Sequence, residues 1–461
     1  MIFSLNDRII KLTFQQYSMG IEVRAIGGYG EIGKNMTAIK IDNDVIIIDM
    51  GIHLPNYINI TEEEDLVKIS TQQLINAQAI PDDSIIADWK NQVRAIIPSH
   101  AHLDHIGAIP YLAAKYNAPI IASPFTLEVI KRILSDEHIH LPNELIVTDM
   151  NKLIQLTTTL AIQLIEITHS TPHSCLVVLH TPYGAIVYAN DFKLDNTPII
   201  GKKPPYQLLE SIGNKGVALL ISECLYAPLE GKTPSESVAR QMLQEVMLSV
   251  NSKGKAIIVT TFSSHIARLK SIVEFSRKLN RKVVFLGRSL SKYVEAAIAC
   301  GLIHFDTVEI VKYPKHVAQI LTKINKKRDK YVIVATGHQG EPKSVLHRMT
   351  HGVLPFTFKT EDHIIFSCKV IPTQINEQNR AELEADLKKF GVRIFKDVHV
   401  SGHASKEDLR DLLKYLKPQH LIPSHGGHIM MDSFHKLSDE LGYHIDQTIH
   451  PMNNGETLRL T

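Results

Sequence analysis

Between residues 21 and 191 apolar side chains recur at every second position or in short unbroken runs, as in IEVRAI (21–26), TAIKID (37–42), VIIID (45–49) and IQLIEITH (162–169). That is the pattern of strands buried on one or both faces. Two stretches with helical spacing, IGAIPYLAAKY (106–116) and FTLEVIKRIL (125–134), interrupt them. In CLVVLHTPYGAIVYAND (175–191), Tyr183-Gly184 separates two apolar runs and predicts a hairpin.

From Ser235 the period changes. ESVARQMLQEVMLSV (236–250) and HIARLKSIVEFSRKL (265–279) read as amphipathic helices, alternating with short buried strands at AIIVT (256–260), KVVFLG (282–287) and YVIVAT (331–336). Such alternation predicts βαβ units around a parallel sheet. After Asp362 the chain returns to strand and helix in IIFSCKVIP (364–372), VHVSG (398–402), HASKEDLRDLLKYL (403–416) and HLIPSHG (420–426). The expected organisation is therefore a unit formed by residues 19–226 and 364–461, with a second unit, 227–363, inserted into it. Residues 1–18 precede a second methionine, Met19, and read as an extension or an alternative start.

Composition narrows the class. With 461 residues, 44% hydrophobic and 21% charged, the chain is globular and long enough for several cores, which excludes coiled-coil and collagen-like architectures. No apolar run approaches the roughly 18 residues of a membrane-spanning helix. Asp7, Arg8 and Lys11 interrupt the apolar N-terminal segment where a signal peptide would need continuity, so a cytoplasmic location and no membrane partner are expected. Cys175, Cys224, Cys300 and Cys368 lie too far apart for a CxxC motif and are expected to be lone buried thiols. The net charge of +2 hides an asymmetry: residues 227–363 carry 22 Lys and Arg against 11 Asp and Glu, the remainder 28 against 37. A basic unit on an acidic host suits a polyanionic partner.

Gly28-Tyr29-Gly30-Glu31-Ile32-Gly33 fits the GxGxxG dinucleotide pattern, but that pattern works only when a helix follows, because the pyrophosphate rests on the helix N-terminus. NMTAIKIDNDVIIID follows here and reads as a hairpin, so these glycines are expected to shape a turn. The dense chemistry lies after the strand VRAIIPS, where His100-Ala101-His102-Leu103-Asp104-His105 offers four ligands in six residues. On extended backbone, residues two apart point the same way, so His100 and His102 can grip one cation. Asp104 and His105 can then address a second. His169 and Asp191 close strands, an aspartate can bridge two ions, and His425 in LIPSHGG is the best remote ligand. Mixed imidazole and carboxylate ligation suits Zn²⁺ or Mn²⁺, and two such ions suit hydrolysis at phosphorus.

The HAHLDH block, with Asp49 upstream and His169 and Asp191 downstream, resembles the metallo-β-lactamase superfamily, whose fold is an αββα sandwich. The 234-residue gap between Asp191 and His425 leaves room for an inserted domain, and VHVSGHASKEDL followed 22 residues after His403 by His425 resembles the β-CASP nucleases, the RNase J family in particular. GGYGEIGKN, HSTPHS, TPYGAIVYANDFKLD, TFSSHIARL, GRSLSKY, GHQGEP and FSCKVIP agree, and the compact length is similar to the archaeal group of that family.

The resemblance implies an α/β fold, a metallo-β-lactamase sandwich carrying an inserted parallel-sheet β-CASP domain. It implies one ion on His100, His102, His169 and Asp191, and another on Asp104, His105, Asp191 and His425. The ions would be Zn²⁺ before Mn²⁺ or Mg²⁺. Asp49 and Glu223 would orient ligands, while Asp104 and His403 would serve the chemistry. Phosphate contacts would come from His399, Ser401, Gly402, Ala404 and Ser405. RNA contacts would come from Ser263, Ser264, His265, Arg268, Arg288 and Ser289. Two positions depart from the pattern: His173, where related sequences often carry an acid, and His338, where serine is common. The implied activity is metal-dependent hydrolysis of single-stranded RNA, 5′→3′ from a 5′-monophosphate end, with a homodimer and a larger RNA-decay assembly as partners. The rival readings are a β-CASP endoribonuclease, a small-ester hydrolase on the same fold, and an inactive RNA-binding scaffold.

Overall fold

The computed structural model describes residues 20–63, 69–371 and 373–460; the expected extension at 1–18 lies outside them. Two sheets stack face to face. The first has seven strands in the order Thr457–Leu460, Ile21–Gly27, Met36–Ile41, Asp44–Ile48, Val93–Ile97, Ile120–Ala122, Leu145–Val147. The second has six: His420–Ser424, Val217–Glu223, Gly184–Ala189, Cys175–Thr181, Ala161–Glu166, Leu153–Gln155. Between them lies a dry layer of β-branched and aliphatic side chains, including Ile39, Ile46, Ile97, Ile162, Val177 and Ile221. Helix Pro124–Asp136 covers the outer face of the first sheet, with Phe125, Leu127 and Ile130 turned inward. Helices Lys406–Leu416 and His428–Asp439 cover the second through Leu409, Leu412 and Phe434. This is the αββα sandwich.

The glycines of GYGEIG adopt left-handed backbone, with φ of 86° at Gly28, 73° at Gly30 and 85° at Gly33. An antiparallel hairpin follows, Met36–Ile41 against Asp44–Ile48, so the loop has no helix on which to rest a pyrophosphate.

The inserted domain is a six-stranded, wholly parallel sheet in the order Val308–Val311, Lys282–Leu286, Tyr331–Ala335, Ile257–Thr260, His363–Phe366, Arg393–Phe395. Of its last two strands, His363–Phe366 crosses the expected boundary at 363 and Arg393–Phe395 lies beyond it. IIFSCKVIP therefore belongs with this sheet instead of the returning sandwich, because Ile364 and Ile365 register against Ile258 and Val259. VHVSG forms no strand: the Val398 carbonyl accepts from the Arg268 guanidinium and the Ser367 hydroxyl, so side chains replace a strand ladder there. The expected helix 236–250 is α-helical only over Glu236–Gln244 and finishes as a π-turn, Glu245–Ser249.

The two domains share one apolar core, in which Leu290, Val294 and Ala297 of helix Arg288–Ala299 join Phe125 and Leu127. Polar contacts fix the alignment. The Tyr293 hydroxyl donates to the Ala101 carbonyl at 2.9 Å, and Arg132 pairs with Glu295 at 2.8 Å. All four cysteines are free thiols.

Candidate metal centre

Strand ends build the site. Asp49, Asp191 and His425 each follow a sandwich strand, and each sits in left-handed backbone, with φ of 61°, 56° and 50°. Three such residues gathered from strand ends of both sheets are a mark of a functional site, since surrounding structure must hold them there. The HAHLDH segment leaves strand Val93–Ile97 and turns at once into helix Leu103–Ile106, of which His102 is the N-cap. Gly51 is required beside it, because a Cβ there would lie 1.6 Å from the Asp104 carbonyl oxygen.

The structure brings every sequence-predicted ligand to one place. Ligand atoms of His100, His102, His169 and Asp191 lie within 4.8 Å of one another, as do those of Asp104, His105, Asp191 and His425. Asp191 is common to both groups. Its Oδ2 is 3.3 Å from His100 Nε2, 3.4 Å from His105 Nε2 and 3.7 Å from His169 Nε2, and its Oδ1 is 3.5 Å from His425 Nε2. His102 Nδ1 is 3.0 Å from His100 Nε2 and 3.2 Å from His169 Nε2. A tetrahedron with arms of about 2.0–2.1 Å has edges of about 3.4 Å, so the donor spacing fits divalent cations. Asp191 Oδ1 is buried with no hydrogen-bond partner, a cost that a cation would remove.

The outer nitrogen of each imidazole is tied down, which points the inner one at Asp191. His105 Nδ1 meets Asp49 Oδ2 at 2.7 Å, His425 Nδ1 meets Asn35 Oδ1 at 3.0 Å, and His169 Nδ1 donates to the Gly402 carbonyl at 2.8 Å. For His102 the inner atom is Nδ1, and its Nε2 meets the Ser264 hydroxyl at 3.0 Å. Asn35 was not among the predicted residues, although GGYGEIGKN carries it. Its side-chain NH₂ also donates to the Asp104 carbonyl at 3.1 Å. Nothing in the sequence alone singles out one Asn in a turn; only the fold puts it behind His425.

Electrostatics follows from burial. Burial pushes the His100 imidazole down to about 4, helped by His105 and resisted by Asp191. Burial likewise holds His169 well below the ordinary range. Both are thus neutral and ready to ligate. Burial opposes charge on Asp191 too, but His425 and His105 outweigh it and hold the carboxyl well below its usual range.

His403 stands beside the cluster, its Nδ1 2.8 Å from Glu223 Oε2 and 3.9 Å from Asp191 Oδ1. Burial works against its protonation, yet Glu223 and Asp191 raise it to about 9. Glu223 is fully buried and also accepts from the Phe192 N–H at 2.8 Å. His403 is therefore held by Glu223 with its ring facing the cluster.

Other predicted contacts stand elsewhere. The loop expected to offer N–H groups to phosphate uses three of them internally: His403 N–H to Ser401 Oγ at 3.0 Å, Ala404 N–H to Glu223 at 3.5 Å and Ser405 N–H to Thr233 Oγ1 at 3.1 Å. Gly402 is buried against His169, where a Cβ would come within 3.0 Å of the ring. His399 is part-buried, and burial together with Arg268 and His265 lowers it to about 2. Arg268 touches no solvent. It pairs with Glu236 at 2.6 and 2.8 Å and donates to Ser367 and Val398, so it ties helix Ile266–Lys278 to the returning chain instead of meeting RNA. His265 is buried against the same Glu236, at 3.3 Å. Ser263 and Ser289 share a 2.8 Å hydrogen bond at the surface, and Arg288 is exposed.

With this geometry in view, comparison with known proteins is decisive. Residues 29–226 match the metallo-beta-lactamase superfamily, 254–382 match "Ribonuclease J, beta-CASP domain", and 391–447 match "Zn-dependent metallo-hydrolase RNA specificity domain". The chain is 46% identical to Ribonuclease J of Methanocaldococcus jannaschii over 95% of its own length and 99% of the relative's. It is 41% identical to Ribonuclease J of Pyrococcus abyssi, over 95% and 97%. Ribonuclease J 1 of Streptococcus pyogenes is 33% identical over 96% and 74%. A solved Enterococcus faecalis protein of unknown function shares the fold, with a TM-score of 0.64, 17% identity and coverage of 96% and 100%. The αββα sandwich, the inserted β-CASP sheet, the gathered His and Asp residues and these matches lead to one conclusion: the chain belongs to the ribonuclease J family of metal-dependent ribonucleases.

Proposed function

We propose that this ribonuclease is a 5′→3′ exonuclease acting on RNA with a 5′-monophosphate, with Zn²⁺ as the preferred ion in both half-sites. The sharing of Asp191 by two four-residue ligand sets is the observation that carries the hydrolytic reading. Divalent ions held there supply Lewis acidity toward the scissile phosphate and a water deprotonated near neutral pH. The imidazole-rich donor set favours zinc. Orienting the attacking water falls to Asp104, on the resemblance to the family. His403, when protonated, can donate to the leaving 3′-oxygen or balance its charge, and Glu223 holds its ring in place. Direction rests on the resemblance to the family, as do a homodimer and a place in an RNA-decay assembly; a cytoplasmic location is part of the same proposal.

The test is a uniform RNA with a labelled 5′-monophosphate, incubated with Zn²⁺ or Mn²⁺ and compared with Asp104→Ala. Immediate release of labelled mononucleotide is expected. A ladder of shortening labelled fragments would instead mean internal cleavage or the opposite direction.

A further inference from the structure

The carboxyl ends of the parallel strands in the inserted sheet face the sandwich domain. At one of them, after Ile257–Thr260, Ser264 reaches His102. At another, after Lys282–Leu286, Arg288 and Ser289 are exposed. At the edge strand Val308–Val311, the next residue, Lys312, pairs with Asp136 of the sandwich at 3.2 Å. Three strand spacings separate the first end from the last, about 14 Å. Ligands of open parallel sheets lie along such carboxyl ends.

At the far end of this edge Tyr313 is 56% exposed. His316 stands edge-on to it with centroids 6.3 Å apart, and the Lys312 ammonium lies 6.0 Å from the ring centre. A groove opens here between the edge strand, Ser291 and Glu295 of helix Arg288–Ala299, and His316, Gln319 and Lys323 of helix Pro314–Lys326. Helix Pro314–Lys326 contains no carboxylate. Its solvent face presents Lys315, Gln319, Lys323 and Lys326, with Lys327 and Lys330 just beyond, and among the described residues none of these lysines has a carboxylate partner. Of the acids at the groove, Glu295 is engaged by Arg132 and Ser291, and Asp136 by Lys292 and Lys312. Glu309 remains on the exposed face of the edge strand.

We propose that this surface is a second contact for single-stranded RNA, in which Tyr313 stacks a base and the lysines of helix Pro314–Lys326 follow the phosphates of the strand lying outside the metal centre. An aromatic platform set among cations suits nucleic acid, because every base has a face to stack while each phosphate meets an ammonium. A folded acidic partner would need an apolar anchor, and the groove offers instead a wet ring with cations on both sides. The inference rests on the ribonuclease reading and adds a place for substrate length to be sensed. It is separated from the chemistry, since no residue of this surface belongs to the metal cluster.

The test uses the metal-loaded enzyme with two substrates, a short RNA of about 2 nucleotides, which does not span the roughly 14 Å to this surface, and a long one of about 30. Tyr313→Ala is expected to weaken binding of the long RNA by about 5- to 100-fold, and Tyr313→Trp to restore it, while Tyr313→Leu does not. Replacing Lys315, Lys323 and Lys326 together by Glu should flatten the dependence of log affinity on log salt by at least about 2. In every variant kcat/KM on the short RNA should match the unaltered enzyme. Unchanged affinity and salt dependence for the long RNA would overturn the proposal. So would a loss on short and long RNA alike, which would signal damage to the fold or centre. If the unaltered enzyme cleaves neither RNA, the ribonuclease reading itself is what fails.

Discussion

The two halves of the metal cluster are held in different ways. Behind Asp104, His105 and His425 lies a buried network made within the sandwich. His105 meets Asp49, Asp49 accepts from Tyr188 at 3.0 Å, Tyr188 from Asn190 at 2.8 Å, and Asn190 reaches Asn35, the partner of His425, at 3.5 Å. His100 shares in this network through Ser99, whose Oγ lies 3.1 Å from His100 Nδ1 and donates to Asp49 Oδ2 at 3.0 Å. His102 and His169 are held otherwise: Ser264, behind His102, comes from the inserted domain, and Gly402, behind His169, from the chain that returns after it. One half is completed within the sandwich, the other only when the inserted domain also meets it. The half on Asp104, His105 and His425, the second, should therefore be rigid on its own, while the half on His100, His102 and His169, the first, should sense through His102 where the inserted domain sits.

The broadest test removes what the halves share. Asp191→Ala should take bound metal from two ions per chain to below one and lower kcat/KM by more than about 10³-fold. Metal analysis after gel filtration would break the comparison if one full ion remained tightly held.

Next in size is Arg268→Met, which leaves the buried Glu236 with His265 as its remaining partner and should cost about 3 kcal/mol in urea unfolding, the low end for breaking a buried pair. Burial works against ionisation of Glu236, but His265 and Arg268 outweigh it and hold the carboxyl well below its ordinary range. Such a group adds stability above the unfolded-state value, and that contribution disappears as pH falls through the folded one. The gap between parent and variant should thus narrow on acidification below about pH 4; a constant gap would mean that packing alone was lost. Because Arg268 and Ser264 flank the start of one helix, the variant should also weaken ion binding in the first half alone.

Asn35→Leu addresses the second half. Losing the partner of His425 Nδ1 and the donor to the Asp104 carbonyl should weaken one ion by about 10- to 100-fold. Asn35→Asp, which still accepts from His425, should recover part of it. Co²⁺ titration followed by absorbance separates the two ions, and equal weakening of both would dissolve the distinction.

Much of this was legible in the chain, for definite reasons. His100, His102, Asp104 and His105 fall within one turn-sized segment, so the spacing itself announces ligation. Asp191 and His425 end strands whose apolar runs are plain. The switch from period two to helical period at Ser235 marks the inserted sheet. What sequence could not convey is partnership across long separations. Arg268 looks like a surface cation in TFSSHIARL until Glu236 and the Val398 carbonyl enclose it. IIFSCKVIP is an apolar run that suits either sheet, and only register with Ile258 and Val259 decides. The donors of Ala404 and Ser405 resemble a phosphate loop until Glu223 and Thr233 are found to occupy them.

The smallest expected effect is the sharpest. His102 is the one ligand whose outer nitrogen is held from the inserted domain, by a hydroxyl that is neutral and replaceable: Ser170 Oγ already stands 3.4 Å from the same Nε2. Ser264→Ala should therefore weaken the first ion by no more than about tenfold, at the low end for loss of an outer partner, and leave the second unmoved. The double change with Ser170→Ala removes both acceptors and should exceed the sum of the single effects, because either hydroxyl alone can fix the ring. Strict additivity in Co²⁺ affinities would show that His102 is aimed by backbone at the helix N-cap instead. In that case the inserted domain would rest against the centre without setting it.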